Sequence, residues 1–193
     1  GYRTVKIKIG GASLAEDLKR IEAAIEVVGD PVRVAVDANG RFHADEAIAW
    51  GNAIEPYGLR WYEEAGDPLD FELQCNLAQS YPHPLATGEN LFSNPDVRNL
   101  IRYSGMRPDR DILQMDPVLG YGLPEYLSML DEIRRSGWAS ALSSSIGASE
   151  LLLITLPRAG TSRPRLRPRI LRRARWARGA AAAHPSASSR EPA

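Results

Sequence analysis

At 193 residues, with 44% hydrophobic and 25% charged side chains, the chain is long enough for one full core, or for part of a larger one. It has no apolar run of the ~18 residues a membrane span needs, and no basic segment followed by an apolar one at its start, so neither a membrane span nor a secretory signal is expected. A lone cysteine, Cys75, excludes a disulfide framework and suits a reducing compartment, so a cytoplasmic location is expected. The formal net charge of zero hides two unlike regions: residues 1–137 carry 14 Lys and Arg against 22 Asp and Glu, while residues 138–193 carry 10 against 2. All ten cations of the second region are Arg.

The chain opens almost directly on a strand, Val5-Lys6-Ile7-Lys8-Ile9, as though its natural start lay further upstream. Gly10-Gly11 breaks that strand and Ser13 offers a helix cap. Leu14, Leu18, Ile21, Ile25 and Val28 then recur at helical spacing, with acidic residues in the first turn. Gly29-Asp30-Pro31 ends the helix, and Val32 to Val36 is the apolar run of a buried parallel strand ending at Asp37. A helix over Ala44 to Ile54 is stopped by Pro56-Tyr57-Gly58. Next come a strand from Leu59 to Glu63-Glu64, a helix from Phe71 to Ser80, and a short strand from Leu85 to Glu89. A helix around Pro95 to Tyr103, a strand from Ile112 to Asp116 and a helix from Pro124 to Arg135 complete the series, with Gly137 just past the end.

Five strands each followed by a helix predict an α/β fold with a parallel sheet. From Asp37 to Glu63 is 26 residues and from Glu63 to Glu89 is 26 again, the step of one βα unit. Carboxylates at successive strand ends meet at one point most readily in a barrel, whose C-terminal rim gathers them around one axis. The expected architecture is therefore a partial (β/α) barrel of the TIM type over residues 1–138, with strands missing on both sides. Residues 139–193 show no core pattern, and their Arg/Ala/Pro-rich composition predicts a disordered tail.

Asp37, Glu63 and Glu89 form a hard oxygen-donor set suited to Mg²⁺. Lys6 and Lys8 alternate with Val5, Ile7 and Ile9, so both belong to one face of their strand. Mutual repulsion in a low-dielectric interior is expected to lower one of their pKa values and make it a general base.

In order and spacing, Lys6-x-Lys8, Asp37-Ala38-Asn39, Glu63-Glu64 and Gly88-Glu89-Asn90 resemble the motifs of the enolase superfamily, and within it the mandelate racemase-like acid-sugar dehydratases. The strings WYEEAGDPLD, ATGENLFS and GMRPDRD are similar to the D-tartrate dehydratase branch. The resemblance covers about residues 1–138. It implies a Mg²⁺-dependent hydro-lyase acting on an acid sugar or hydroxy-dicarboxylate. Asp37, Glu63 and Glu89 would hold the metal, and Asn39 and Asn90 would touch substrate. Lys8 would remove the proton α to the substrate carboxylate, with Lys6 tuning it, and the metal would stabilise the resulting enediolate. Relatives of this kind are expected to be homo-oligomers.

Elimination also needs a general acid, which the resemblance places as a histidine on the strand after Asp116, with Asp116 orienting it. The chain has only His43, His83 and His184, and none fits that place. A reading-frame slip near Trp138 is the expected cause, since one encoding of Gly147-Ala148-Ser149-Glu150 read one base later gives Gly-His-Gln; a genuine divergent tail is the alternative. Little turnover is then expected from this chain alone. A racemase or epimerase of the same superfamily, or a fragment without catalysis, is the alternative. The Arg-rich tail lacks helical facing and any recognised nucleic-acid module, so no specific nucleic-acid partner is expected.

Overall fold

The computed structural model describes residues 4–138 and the strand Leu142–Ser143. Six parallel strands lie side by side in chain order: β1 Val5–Lys8, β2 Val34–Asp37, β3 Tyr62–Glu63, β4 Leu85–Thr87, β5 Ile112–Gln114 and β6 Leu142–Ser143. A doubly wound sheet reverses its strand order at a switch point. This one never does, so it curls in one sense, as a TIM barrel does. The helices α1 Leu14–Val28, α2 Ala44–Ile54, α3 Phe71–Ser80, α4 Asn94–Tyr103 and α5 Leu123–Arg135 follow strands one to five. The helices pack as sequential neighbours, α2 on α3, α3 on α4 and α4 on α5. The expected partial barrel is the observed fold.

The register divides the sheet into two chemically distinct faces. Val36 pairs with Tyr62, Tyr62 with Leu85, and Leu113 lies beside Thr87. Val36, Tyr62, Leu85 and Leu113 meet Ile21, Trp50, Leu77, Leu100, Met129 and Ile133 from the helices in one buried core. The opposite face carries Lys6, Lys8, Ala35, Asp37, Glu63, Ala86 and Gln114. The barrel core thus lies outside the sheet, between strands and helices, and the inner face holds charge.

Local signals account for the helix limits. Ser13 and Glu16 form a capping box at α1, and Gly29 closes it at φ 77°. Asp70 caps α3 through the Leu73 amide, and Ser93 pairs with Asp96 at the start of α4. Two expectations are corrected. β3 is only Tyr62–Glu63, because Gly58 is left-handed and Leu59 to Trp61 approach the sheet as irregular backbone. The sequence shows no strand at 139–145, yet Leu142 and Ser143 pair with Leu113 and Gln114 of β5. A backbone ladder two residues long needs no apolar alternation, so composition does not announce it.

One hydrogen-bonded network fixes the N-terminal end of the sheet. At the N-terminal end, Arg107 donates to both carboxylate oxygens of Asp111 at 2.7 and 2.9 Å, and to the carbonyls of Ala78, Tyr81 and His83. Asp111 in turn accepts from the amide of Leu85, the first residue of β4. This clamp ties the C-terminus of α3 to the starts of β4 and β5. Among the described residues, no helix is long and apolar enough to cross a membrane. The tail expected to be disordered lies outside the described residues, apart from β6.

Candidate active site

All three expected metal ligands come from the C-terminal ends of successive strands. Lys8 pairs with Asp37 in the ladder and Asp37 with Glu63, so the three side chains stand in a row across β1, β2 and β3. Glu89 is two residues past β4, beyond Gly88. Gly88 has φ 125°, and a Cβ there would lie 2.1 Å from Cε of Met115, so only glycine carries the chain through to Glu89.

Lys6 and Lys8 share one face, as their alternation predicts, and both reach the carboxylates. Lys6 Nζ lies 2.5 Å from Glu63 Oε1 and 2.8 Å from Asp37 Oδ2. Lys8 Nζ lies 2.5 Å from the same Asp37 Oδ2. Asp37 Oδ1 accepts from the Asn39 amide, and Glu63 Oε2 accepts from the Trp61 indole, each holding its carboxylate in one orientation.

These contacts set the protonation of the cluster. Burial alone would lower the Lys6 ammonium, but the hydrogen bonds to Asp37 and Glu63 outweigh it and hold Lys6 above its ordinary value. At Lys6, then, the carboxylates beside it rather than the neighbouring ammonium decide the sign. Burial would raise Asp37, but Lys6 and Lys8 keep it below the usual carboxylate range. Glu63 is raised, because burial and the Asp37 charge exceed what Lys6 and Trp61 return.

Glu64 is a member of the cluster that the strand pattern conceals. Strand alternation assigns it to the face opposite Glu63, yet its backbone is left-handed at φ 38° and its side chain is buried. Both its carboxylate oxygens accept from the Asn90 amide at 2.9 Å. Burial pushes its carboxyl up to about 7, against the Asn90 hydrogen bonds and with help from the charges of Glu89, Asp37 and Glu63. A left-handed backbone at a non-glycine residue marks a site held by its surroundings. The Glu63-Glu64 doublet at a strand end is the sequence signal that points to it. Asn90, expected to touch substrate, is here engaged by Glu64. Asn39 is left-handed too, at φ 50°.

Asp116 is buried just past β5, and its Oδ1 accepts from the amides of Val118 and Leu119, shaping the loop that follows. His43 precedes α2 without capping it through its side chain. His83 lies at the opposite end of the sheet, against the carbonyl of Glu55. His184 and the 147–150 segment lie outside the described residues.

The donor set is chemically suited to a hard divalent cation. Four carboxylates, Asp37, Glu63, Glu64 and Glu89, act on one another against two ammonium groups. The Lys6 ammonium already bridges Asp37 and Glu63, so these two carboxylates converge on a point where a positive charge belongs. Among the described residues no three such side chains close around a single point, and the Lys6 and Lys8 ammonium groups lie against the carboxylates instead.

Comparison with known proteins agrees with this geometry. The chain is 29% identical over 152 residues to arabinonate dehydratase of Saccharolobus solfataricus, covering 79% of this chain and 40% of that protein. It is 33% identical over 137 residues to L-talarate/galactarate dehydratase of Salmonella typhimurium, covering 71% of this chain and 33% of that one. The crystal structure of L-talarate dehydratase from Polaromonas sp. JS666, complexed with Mg and L-glucarate, superposes with a TM-score of 0.64 at 31% identity. That overlap covers 71% of this chain and 37% of the crystallised one. This chain thus spans a third to two-fifths of the length of these relatives. The profile of the enolase C-terminal domain-like family matches residues 1–157, running past the boundary expected at 138. A match over most of the chain, on a barrel whose charged residues gather at the ends of its strands, places this protein in the enolase C-terminal domain-like family.

Proposed function

We propose that this chain carries the proton-abstracting part of a Mg²⁺-dependent hydro-lyase that dehydrates an acid sugar or tartrate. The observation that carries this reading is the convergence of Lys6 and Lys8 on Asp37 and Glu63 at the C-terminal rim of a parallel barrel. The relatives supply the direction, being dehydratases of arabinonate and of talarate or galactarate, one of them crystallised with Mg. Asp37, Glu63 and Glu89 would hold Mg²⁺, which when bound supplies positive charge opposite the substrate carboxylate.

The remaining work belongs to the chain's own side chains. Lys8 takes the proton α to the carboxylate, which requires its Nζ to part from Asp37 Oδ2 and to be uncharged. Lys6 stays an ammonium, held so by Asp37 and Glu63, and keeps positive charge beside the reacting carbon. Asn39 and Asn90 border the same rim as substrate contacts. Asp116 holds the loop beyond β5, where a general acid for the departing hydroxyl would enter.

The D-tartrate dehydratase branch is favoured by WYEEAGDPLD and ATGENLFS, which surround Glu63 and Glu89. The third string, GMRPDRD, contains Arg107 and Asp111 at the other end of the sheet and therefore speaks for the fold rather than the substrate. For the missing histidine we keep the frame-slip reading, and sequencing the locus for a histidine codon in another frame tests it. A cytoplasmic location fits a small polar substrate.

Proton abstraction precedes any elimination, so it is measurable without the general acid. The chain is incubated with Mg²⁺ and D-tartrate or galactarate in D₂O, and the α-proton signal is followed by NMR. We expect Mg²⁺-dependent exchange of that proton, abolished by chelation. A folded chain that neither binds Mg²⁺ nor exchanges the proton would overturn the proposal.

A further inference from the structure

Beside the carboxylate cluster, the same rim opens into a groove of about 490 Å³ with a lining of opposite sign. Its volume lies within the range of small-molecule sites. Lys8, Arg20 and Arg41 supply three cations, Asn39 an amide and Gly11 open backbone, and no carboxylate lines it. The groove is formed between the turn after β1 and the turn after β2. Gly10 holds the first turn at φ 79°, where a Cβ would lie 2.7 Å from Cζ of Phe42. The Gly10 amide donates to buried Asp17 at 2.7 Å, and Asp17 also pairs with Arg20. That leaves the two arginines unlike one another. Arg20 is committed to Asp17, whereas Arg41 is exposed and, among the described residues, engages no hydrogen-bond or ion-pair partner.

Lys8 belongs to both places. It lines the groove while its ammonium touches Asp37, so a molecule whose α-carbon lies at Lys8 and whose first carboxylate lies toward Asp37 and Glu63 extends its other end between Arg20 and Arg41. A planar guanidinium with free N–H groups matches the two oxygens of a carboxylate and offers nothing comparable to a primary alcohol.

We propose that this groove receives the far carboxylate of a sugar diacid, with Arg41 as its main contact, so that the site selects diacids over sugar monoacids. The inference rests on Lys8 marking the reacting end of the substrate. A bidentate charge-assisted hydrogen bond open to one ligand and closed to the other corresponds to about tenfold to a hundredfold in affinity.

Galactarate and galactonate test this directly, because they differ only in a carboxylate or a hydroxymethyl group at one end. Calorimetric titration of the full chain with each, in saturating Mg²⁺, is expected to favour galactarate by about tenfold to a hundredfold. Arg41→Met should bring galactarate down to the galactonate level, leaving galactonate and Mg²⁺ binding and the circular dichroism spectrum unchanged. Arg41→Lys should restore part of the preference. Equal affinities in the unsubstituted chain, or an Arg41→Met chain that weakens both ligands alike, would overturn the assignment. Failure of the dehydratase reading looks different: neither acid would exchange its α-proton, while the Arg41-dependent preference would persist.

Discussion

At the N-terminal ends of β4 and β5, Arg107 and Asp111 bury one charge of each sign, and every polar atom they present to the interior is matched. Arg107 satisfies Asp111 and three carbonyls, and Asp111 accepts from the Leu85 and Arg107 amides as well. At the C-terminal ends, Asp37, Glu63, Glu64 and Glu89 face two lysines, and the surplus of negative charge shows in Glu64, pushed up to about 7 by burial and by its neighbours. Both clusters contain buried carboxylates, yet only the first is balanced. A balanced pair of buried charges holds backbone in place, and breaking it leaves the partner stranded. An unbalanced cluster is poorly placed on its own and gains from a bound cation. The two ends of one sheet thus divide structure from chemistry, as barrel enzymes divide their two faces.

Substitutions that strike one end should leave the other intact, and the largest effect belongs to the base. Lys8→Ala is expected to slow α-proton exchange by about 10²- to 10⁴-fold. Its urea midpoint should scarcely move, since the exposed Lys8 pairing contributes about 0–1 kcal/mol. Asp111→Ala should do the reverse, costing about 3–5 kcal/mol in urea unfolding because it strands Arg107, while Mg²⁺ affinity in the folded protein is retained. Loss of Mg²⁺ binding in folded Asp111→Ala would erase the division between the two ends. Mg²⁺ at a hundredfold excess over its dissociation constant should stabilise the chain by about 2.7 kcal/mol, and Asp37→Asn should abolish that increment. Melting curves with and without chelator read this, and an Asp37→Asn chain stabilised by Mg²⁺ as before would remove Asp37 from the site. The smallest effect is expected at Ser13→Ala, about 1 kcal/mol from the α1 capping box, with exchange and Mg²⁺ binding unchanged.

Much of this was legible from local chemistry. The α1 cap at Ser13, the glycine stop at Gly29 and the strand ending at Asp37 each follow from residues within a few positions of one another. β3 was harder, because Leu59 to Glu64 is apolar and aromatic enough for a full strand while the barrel curvature leaves only Tyr62 and Glu63 in the ladder. β6 was invisible, since two paired residues carry no periodicity. At the rim, equal spacing singled out Asp37, Glu63 and Glu89 as acids at strand ends, and alternation put Lys6 and Lys8 on one face of β1. Glu64 escaped, because alternation assigns it outward and only its left-handed backbone turns it back toward Asn90.

By itself, then, the sequence determined which residues end the strands, which face of β1 carries the lysines, and that the resulting site pairs amines with acids. These follow from periodicity and spacing, which are properties of the chain alone. The tertiary structure decided the balance among those charges. Whether a lysine is lowered by another lysine or raised by a carboxylate depends on which neighbour comes within hydrogen-bonding distance, and adjacent strands set that distance. The same holds for Arg41, an ordinary surface cation in the sequence. Only the packing of two turns against each other makes it a wall of the groove beside Lys8.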